Sequence, residues 1–194
     1  QNPELAFEET FASGLLGSTL AKHGLSAERG AYGLETAYAT NFGRSAGPSI
    51  AILSEYDALP GIGHACGHNI IATIGLGAAL ALARLESQLQ GRVRYMGTPA
   101  EERGGGKEVM AQHGAFDGID AAMMVHPAGF DMAWMPSIAL AEVEAVYHGR
   151  AAHASAMAHR GGPEPRVDRR SRRPAGAAGA AGRGPGEGGW RGER

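Results

Sequence analysis

Two imidazoles and the chain's single thiol fall within five consecutive positions, His64-Ala65-Cys66-Gly67-His68, inside the run Leu59-Pro60-Gly61-Ile62-Gly63-His64-Ala65-Cys66-Gly67-His68-Asn69. Thiolate and imidazole suit a borderline-soft divalent ion, and the glycines between them allow the tight turns that aim several donors at one point. Cys66 and His68, two positions apart, can converge from a turn, whereas His64 serves as well by hydrogen bonding to backbone. Half a metal site implies another half. Thr98-Pro99-Ala100-Glu101-Glu102 supplies two adjacent carboxylates that point in different directions, so one can hold a metal while the other takes a proton from water as general base. Met124-Val125-His126-Pro127 supplies a histidine that, alone, reads as a strand-end side chain bonded to a carbonyl. Beside two other donor clusters at strand ends, His126 reads as a ligand. Asp57, just ahead of the first cluster, either orients a ligand or closes an Asx turn before Pro60.

The segments between the clusters must bring them together. Leu5, Phe7, Phe11, Leu15, Leu16 and Leu20 give residues 3–23 a helical stripe that Gly24 ends. Residues 31–40 are expected to form a strand and residues 41–49 a loop. Ser-Ile-Ala-Ile-Leu-Ser-Glu-Tyr, residues 49–56, is the nearly continuous apolar run of a strand buried on both faces. Residues 69–89 predict a helix with Asn69 as its N-cap, and Gly75 and Gly77 within it imply close packing against a sheet. Strands over 92–97 and 119–126, the second buried like the first, and a helix over about 106–113 complete a β, loop, α alternation. The fold class this predicts is α/β, a mostly parallel sheet flanked by helices on both faces, with its chemistry at the carboxyl ends of the strands. His23 and His113, near helix ends, fit partners of the helix dipole. Residues 138–148 alternate apolar and acidic, as a strand with one wet face does, and begin a second, antiparallel element.

Composition narrows the function classes. The 194 residues are 43% hydrophobic and 20% charged, which describes a soluble globular chain and not a disordered one. No apolar run approaches the ~20 residues that cross a bilayer, and the N-terminus lacks the basic-then-apolar order of a secretory signal. A cytoplasmic, reducing location is expected, with Cys66 free to act as ligand or nucleophile. From Arg160 onward nine Arg stand against four carboxylates, a balance of +5, so the net charge of −2 leaves −7 on the body before it. An acidic body argues against nucleic acid as its partner. Residues 161–194 hold one Val and one Trp among Arg, Gly, Ala, Pro, Glu, one Asp and one Ser, too little apolar surface to offset an ordering entropy of about 1–2 kcal/mol per residue. Disorder is expected there. The abrupt break in composition fits a reading-frame shift near Arg160 in a GC-rich coding sequence, in which case another frame continues the apolar pattern.

Several motifs are linked in order over residues 1 to about 160: Asn2-Pro3-Glu4-Leu5, Phe7-Glu8-Glu9, Glu55-Tyr56-Asp57-Ala58-Leu59-Pro60, His64-Ala65-Cys66-Gly67-His68-Asn69, Gly97-Thr98-Pro99-Ala100-Glu101-Glu102, Val125-His126-Pro127 and Gly149-Arg150-Ala151-Ala152-His153-Ala154. Together they resemble the amidohydrolase branch of peptidase family M20, which includes hippurate, auxin-conjugate and aminobenzoyl-glutamate hydrolases. The form Ser-Glu-Tyr-Asp-Ala-Leu-Pro, with Asn69, is most similar to the aminobenzoyl-glutamate hydrolase and aminoacylase-like dipeptidase subgroup. The resemblance implies the N-terminal part of a zinc-exopeptidase-like catalytic domain over 1–134 and the start of a lid and dimerisation domain over 135–160, ahead of the compositionally distinct tail at 161–194. It implies two divalent metal ions, zinc or manganese, held by Cys66, His68, Glu102 and His126, with Glu101 as general base. Asp57 would orient a ligand, and His153 would be the lid histidine that meets the developing oxyanion. The implied reaction is hydrolysis of the amide in an N-acyl or N-aminoacyl amino acid or dipeptide, with aminobenzoyl-glutamate as the pattern. A homodimer is implied for the family, without extending to this shorter chain; neither nucleic acid nor membrane is an expected partner.

The chain departs from that pattern at Ala158, where the family places Pro, and after His159, where no histidine follows to complete a second metal. Impaired hydrolysis is therefore expected of this chain, and an inactive metal-binding fragment without enzymatic role is the alternative. Two other readings use the same residues: a cysteine hydrolase with Cys66 as nucleophile and His126 as base, and a dinucleotide site at Gly61-x-Gly63-x-x-x-Gly67. The second is weak, because a Pro and several other residues separate its first Gly from the strand.

Overall fold

The computed structural model describes residues 2–133; residue 1 and residues 134–194 lie outside it, and with them the expected strand at 138–148, His153 and the arginine-rich tail. The first helix, α1 (Thr10–Lys22), starts later than its apolar stripe predicts. Glu4 is the reason. Its carboxylate accepts hydrogen bonds from Phe11 N (2.8 Å), Ala12 N (2.9 Å) and Thr10 Oγ1 (3.2 Å), satisfying amide donors that have no partner within the helix. Residues ahead of Thr10 thus cap the helix instead of extending it.

Five strands, β1 (Glu28–Arg29), β2 (Tyr38–Gly43), β3 (Ser49–Ser54), β4 (Arg92–Gly97) and β5 (Ala121–Met123), form one sheet in the order β1-β2-β4-β3-β5. β3 runs parallel to β4, with Ile50 opposite Val93, and parallel to β5, with Ile50 opposite Ala121. β2 runs antiparallel to both β1 and β4. The α/β class holds, and the sheet is mixed: its parallel part is β4-β3-β5, and its antiparallel edge is β1 and β2, the latter beginning near the end of the strand expected over 31–40 and running through residues 41–43 of the expected loop. Only the end of the segment 31–40 is extended, because residues 31–33 form a 3-10 turn with Tyr32 at φ 53.

Side chains alternate along these strands between two cores. Tyr38, Phe42, Ile52, Val93 and Tyr95 pack with Leu16 and Leu20 of α1 and with Ala72 and Ala79 of α2 (His68–Arg84). Ala39, Ala51, Leu53 and Met96 face Met110 of α3 (Gly106–Gln112) and the following Ala115. Helices therefore cover both faces. β5 differs from the buried strand expected over 119–126: it is three residues long and all three are exposed, since among the described residues it pairs only with β3 and ends the sheet.

Close packing explains one of the two helix glycines. A Cβ at Gly75 would overlap the Ser54 hydroxyl of β3, whereas a Cβ at Gly77 would meet nothing within 4 Å. We expect Gly75→Ala to destabilise the fold by about 1–3 kcal/mol through overpacking, and Gly77→Ala to stabilise it by up to ~1 kcal/mol through helix propensity. Urea denaturation of the two variants checks the opposite signs.

Candidate metal centre

His68 opens α2 and is fully buried. Its Nδ1–H donates to Asp57 Oδ1 (2.9 Å) and to the Asp57 main-chain oxygen (3.0 Å). Two acceptors on one side fix the tautomer, leaving Nε2 to face the site. Around Nε2 stand Glu55 Oε2 at 3.3 Å, Glu101 Oε2 at 3.6 Å and Glu102 Oε1 at 3.8 Å. Asp57 Oδ2 accepts the Glu102 amide at 2.9 Å. One buried carboxylate thereby aligns both the ring and the acidic loop that follows β4.

The third cluster arrives by a close approach. Gly67 sits just ahead of α2 at φ 85, in the place expected for Asn69 as the cap, and a Cβ there would stand 2.8 Å from Pro127 Cγ. Both the left-handed backbone and the contact require glycine. With Pro127 seated on it, His126 Nε2 comes within 3.7 Å of Cys66 Sγ, while its Nδ1–H donates to Pro127 O at 2.8 Å. The ligand atoms of Cys66, His68 and His126 all lie within 4.8 Å of one another, and so do those of Glu55, His68 and Glu101.

Whether these residues fit a cation is tested by their unpaired atoms. Among the described residues, Glu55 Oε2, His68 Nε2 and Glu102 Oε1 are buried and without a hydrogen-bond partner. Leaving such atoms unpaired costs on the order of 1–3 kcal/mol each, and a bound divalent cation would satisfy all three together. Sulfur, imidazole and carboxylate donors together suit a divalent transition-metal ion; the set fits. Electrostatics agree. Burial raises the Asp57 carboxyl, but the His68 hydrogen bond and the Glu102 amide outweigh it and hold the group below the usual range. Burial disfavours the His68 imidazolium, yet the Asp57 hydrogen bond and the charge of Glu55 raise its pKa on balance. Burial and then the charge of Glu55 raise Glu101, which brings it toward the range of a working base.

Cys66 is pushed up to about 11 by burial and by the hydrogen bond and charge of Glu102. A nucleophilic cysteine needs the reverse environment, so the surroundings of this thiol disfavour the attacking role. In metal-free protein at pH 7.5 its alkylation by iodoacetamide should run about a hundredfold slower than that of an ordinary thiol. A rate equal to free cysteine would restore the nucleophile reading.

The site thus gathers Asp57, Cys66, His68, Glu101, Glu102 and His126, and His153 lies outside the described residues. His64 Nδ1 is buried and unpartnered, so the backbone hydrogen bond open to it in the sequence is not made through that atom. His113 donates from Nδ1 to Val109 O at 2.8 Å, at the end of α3 as expected. Sequence reasoning gave no role to Glu55, which is 2% exposed and paired with Lys107 of α3. The signal was present: Glu55 precedes Asp57 by two just past an expected strand, and a strand-like continuation at that spacing puts both on one side.

The pattern of the Peptidase family M20/M25/M40 matches residues 51–169. The chain is 42% identical over 167 residues to the Xaa-Arg dipeptidase of Mus musculus, covering 79% of this chain and 39% of that protein. It is 36% identical over 181 residues to one of the subunits of the p-aminobenzoyl-glutamate hydrolase of Escherichia coli, covering 82% of this chain and 37% of that one. Among solved structures it is similar to a dinuclear metal-binding peptidase of the M20 family from Bacillus subtilis, with a TM-score of 0.58 and 29% identity over 62% of this chain and 38% of that chain. The chain therefore spans well under half the length of these relatives.

Proposed function

The chain belongs to Peptidase family M20/M25/M40, and from that premise we propose that it carries the metal-binding half of an amidohydrolase that cleaves the amide of N-acyl or N-aminoacyl amino acids. The supporting observation is the convergence of Cys66 Sγ, His68 Nε2 and His126 Nε2 beside carboxylate oxygens that have no other partner. Cys66, His68, Glu102 and His126 would hold two divalent ions, zinc or manganese. When bound, these ions polarise the scissile carbonyl and acidify water. Glu101, the more exposed of the two acidic neighbours at 40%, faces substrate and takes the proton of the attacking water onto its carboxylate. It then returns that proton to the leaving nitrogen. Asp57 keeps the Nδ1 proton on His68 throughout, so Nε2 remains a lone-pair donor. His153 is assigned the contact to the oxyanion.

Aminobenzoyl-glutamate and Xaa-Arg dipeptides are the substrates proposed from the relatives that resemble this chain. The test is to load purified protein with Mn²⁺ or Zn²⁺, measure bound metal, and follow release of glutamate or arginine. Metal bound with turnover supports the reading. Metal bound without turnover on either substrate leaves the inactive metal-binding fragment, and no bound metal overturns both.

A further inference from the structure

The acidic motif at the start of the chain, Phe7-Glu8-Glu9, is not used by the chemistry above, yet Glu9 is completely buried. A buried carboxylate is costly unless its oxygens are occupied. Both are. Oε2 accepts the Thr36 hydroxyl at 2.8 Å, and Oε1 accepts the amide of Ala100 at 2.8 Å, 91 residues further along the chain. Ala100 immediately precedes Glu101 and Glu102 and sits at φ 58, a left-handed backbone that residues other than glycine seldom adopt. Its carbonyl is held as well, accepting Gly106 N at 2.9 Å.

Other contacts of the same segment meet the same loops. Glu4 O accepts Ala58 N at 2.8 Å, next to Asp57. The Phe7 ring lies against Gly104, two residues beyond Glu102, and Phe7 is itself left-handed at φ 69. Return of Ala100 to the right-handed region would rotate the next peptide and turn Glu101 and Glu102 away from His68.

We propose that Glu9 is a positioning residue for the metal centre: its buried carboxylate pins Ala100 in the backbone conformation from which Glu101 and Glu102 reach His68. The proposal rests on the roles given above to those two glutamates. An ordinary core role would be filled as well by an apolar side chain of similar size, and this distinguishes the two accounts.

Glu9→Leu, Glu9→Gln and Thr36→Val, each in the full chain, provide the test. Glutamine keeps an acceptor for Ala100 N, leucine keeps only volume, and Thr36→Val removes the partner that is remote from the site. Hydrogen exchange is read over residues 98–106 and over α2, together with Co²⁺ affinity from the thiolate-to-cobalt absorption. Glu9→Leu is expected to speed exchange at 98–106 tenfold or more and to weaken Co²⁺ binding tenfold or more, with α2 unchanged. Glu9→Gln and Thr36→Val should stay within about threefold of the parent.

Protection of 98–106 kept in Glu9→Leu overturns the proposal, as does equal loosening of α2. Should the leucine variant not fold, Glu9→Asp, whose shorter carboxylate cannot span Thr36 and Ala100 together, must show the same loop-restricted rise. Failure of the metal-centre reading itself shows separately, as absence of Co²⁺ binding by the parent chain; the exchange measurement still decides the role of Glu9.

Discussion

Glu101→Gln should lower turnover by about two to four orders of magnitude while leaving bound metal unchanged, because a general base contributes on that scale and glutamine keeps the shape of the side chain without its basicity. The carboxylate stands 3.6 Å from His68 Nε2 but is 40% exposed, which leaves it more open to solvent than its neighbour. Glu102 is 19% exposed, carries an unpaired buried oxygen, and is tied by its amide to Asp57. Glu102→Gln is therefore expected to lose metal as well as turnover. Metal analysis beside steady-state kinetics separates the two residues: the assignment of base and ligand fails if Glu101→Gln is the variant that loses metal.

Lys107→Met is expected to have the largest effect on stability in metal-free buffer. The Lys107 ammonium donates to Glu55 Oε1, and Glu55 is 2% exposed while Lys107 is 28% exposed. Removing the cation leaves a buried carboxylate beside Glu101 and Glu102, all three facing His68 Nε2. Breaking a fully buried pair costs ~3–5 kcal/mol; with Lys107 partly in water, about 2–3 kcal/mol is expected. Methionine preserves the aliphatic stem, so the loss reports charge and not packing. Saturating Mn²⁺ should recover much of it, because the metal supplies the missing positive charge. Urea denaturation with and without metal measures both quantities, and a variant as stable as the parent in chelator would show that the pair does no electrostatic work.

The sequence was most legible where a local pattern and the tertiary demand coincide. β4 spans the expected residues 92–97, and the apolar run at 49 marks the start of β3, since strands buried on both faces leave little choice of residue. Cys66, His68, Glu101, Glu102 and His126 stood out in the sequence because metal chemistry restricts donors to few residue types, and the structure brings their side chains together. Less legible were features made by contacts distant in sequence. The antiparallel pairing of β2 with β4 skips the next strand in the chain, and periodicity carries no information about which strand is a neighbour. The late start of α1 depends on the Glu4 carboxylate reaching residues 10–12, and an apolar stripe does not register such a cap. Glu55 and Glu9 stand within recognisable motifs without an evident role; only burial and contacts reveal that each is held by a particular partner.

The strand order has a consequence for biosynthesis. β3 lies between β4 and β5, both of which are made after it. At ~5–20 residues per second, the roughly 40 residues between β3 and β4 take about 2–8 s to appear on the ribosome. During that interval the two sheet neighbours of the apolar Ile-Ala-Ile-Leu stretch are not yet made, and α2, which follows and packs on β3 through Gly75, joins α1 in shielding it. The nascent chain is thus led toward a strand-helix unit first, with the metal loops brought together only when the later strands zip onto its two sides.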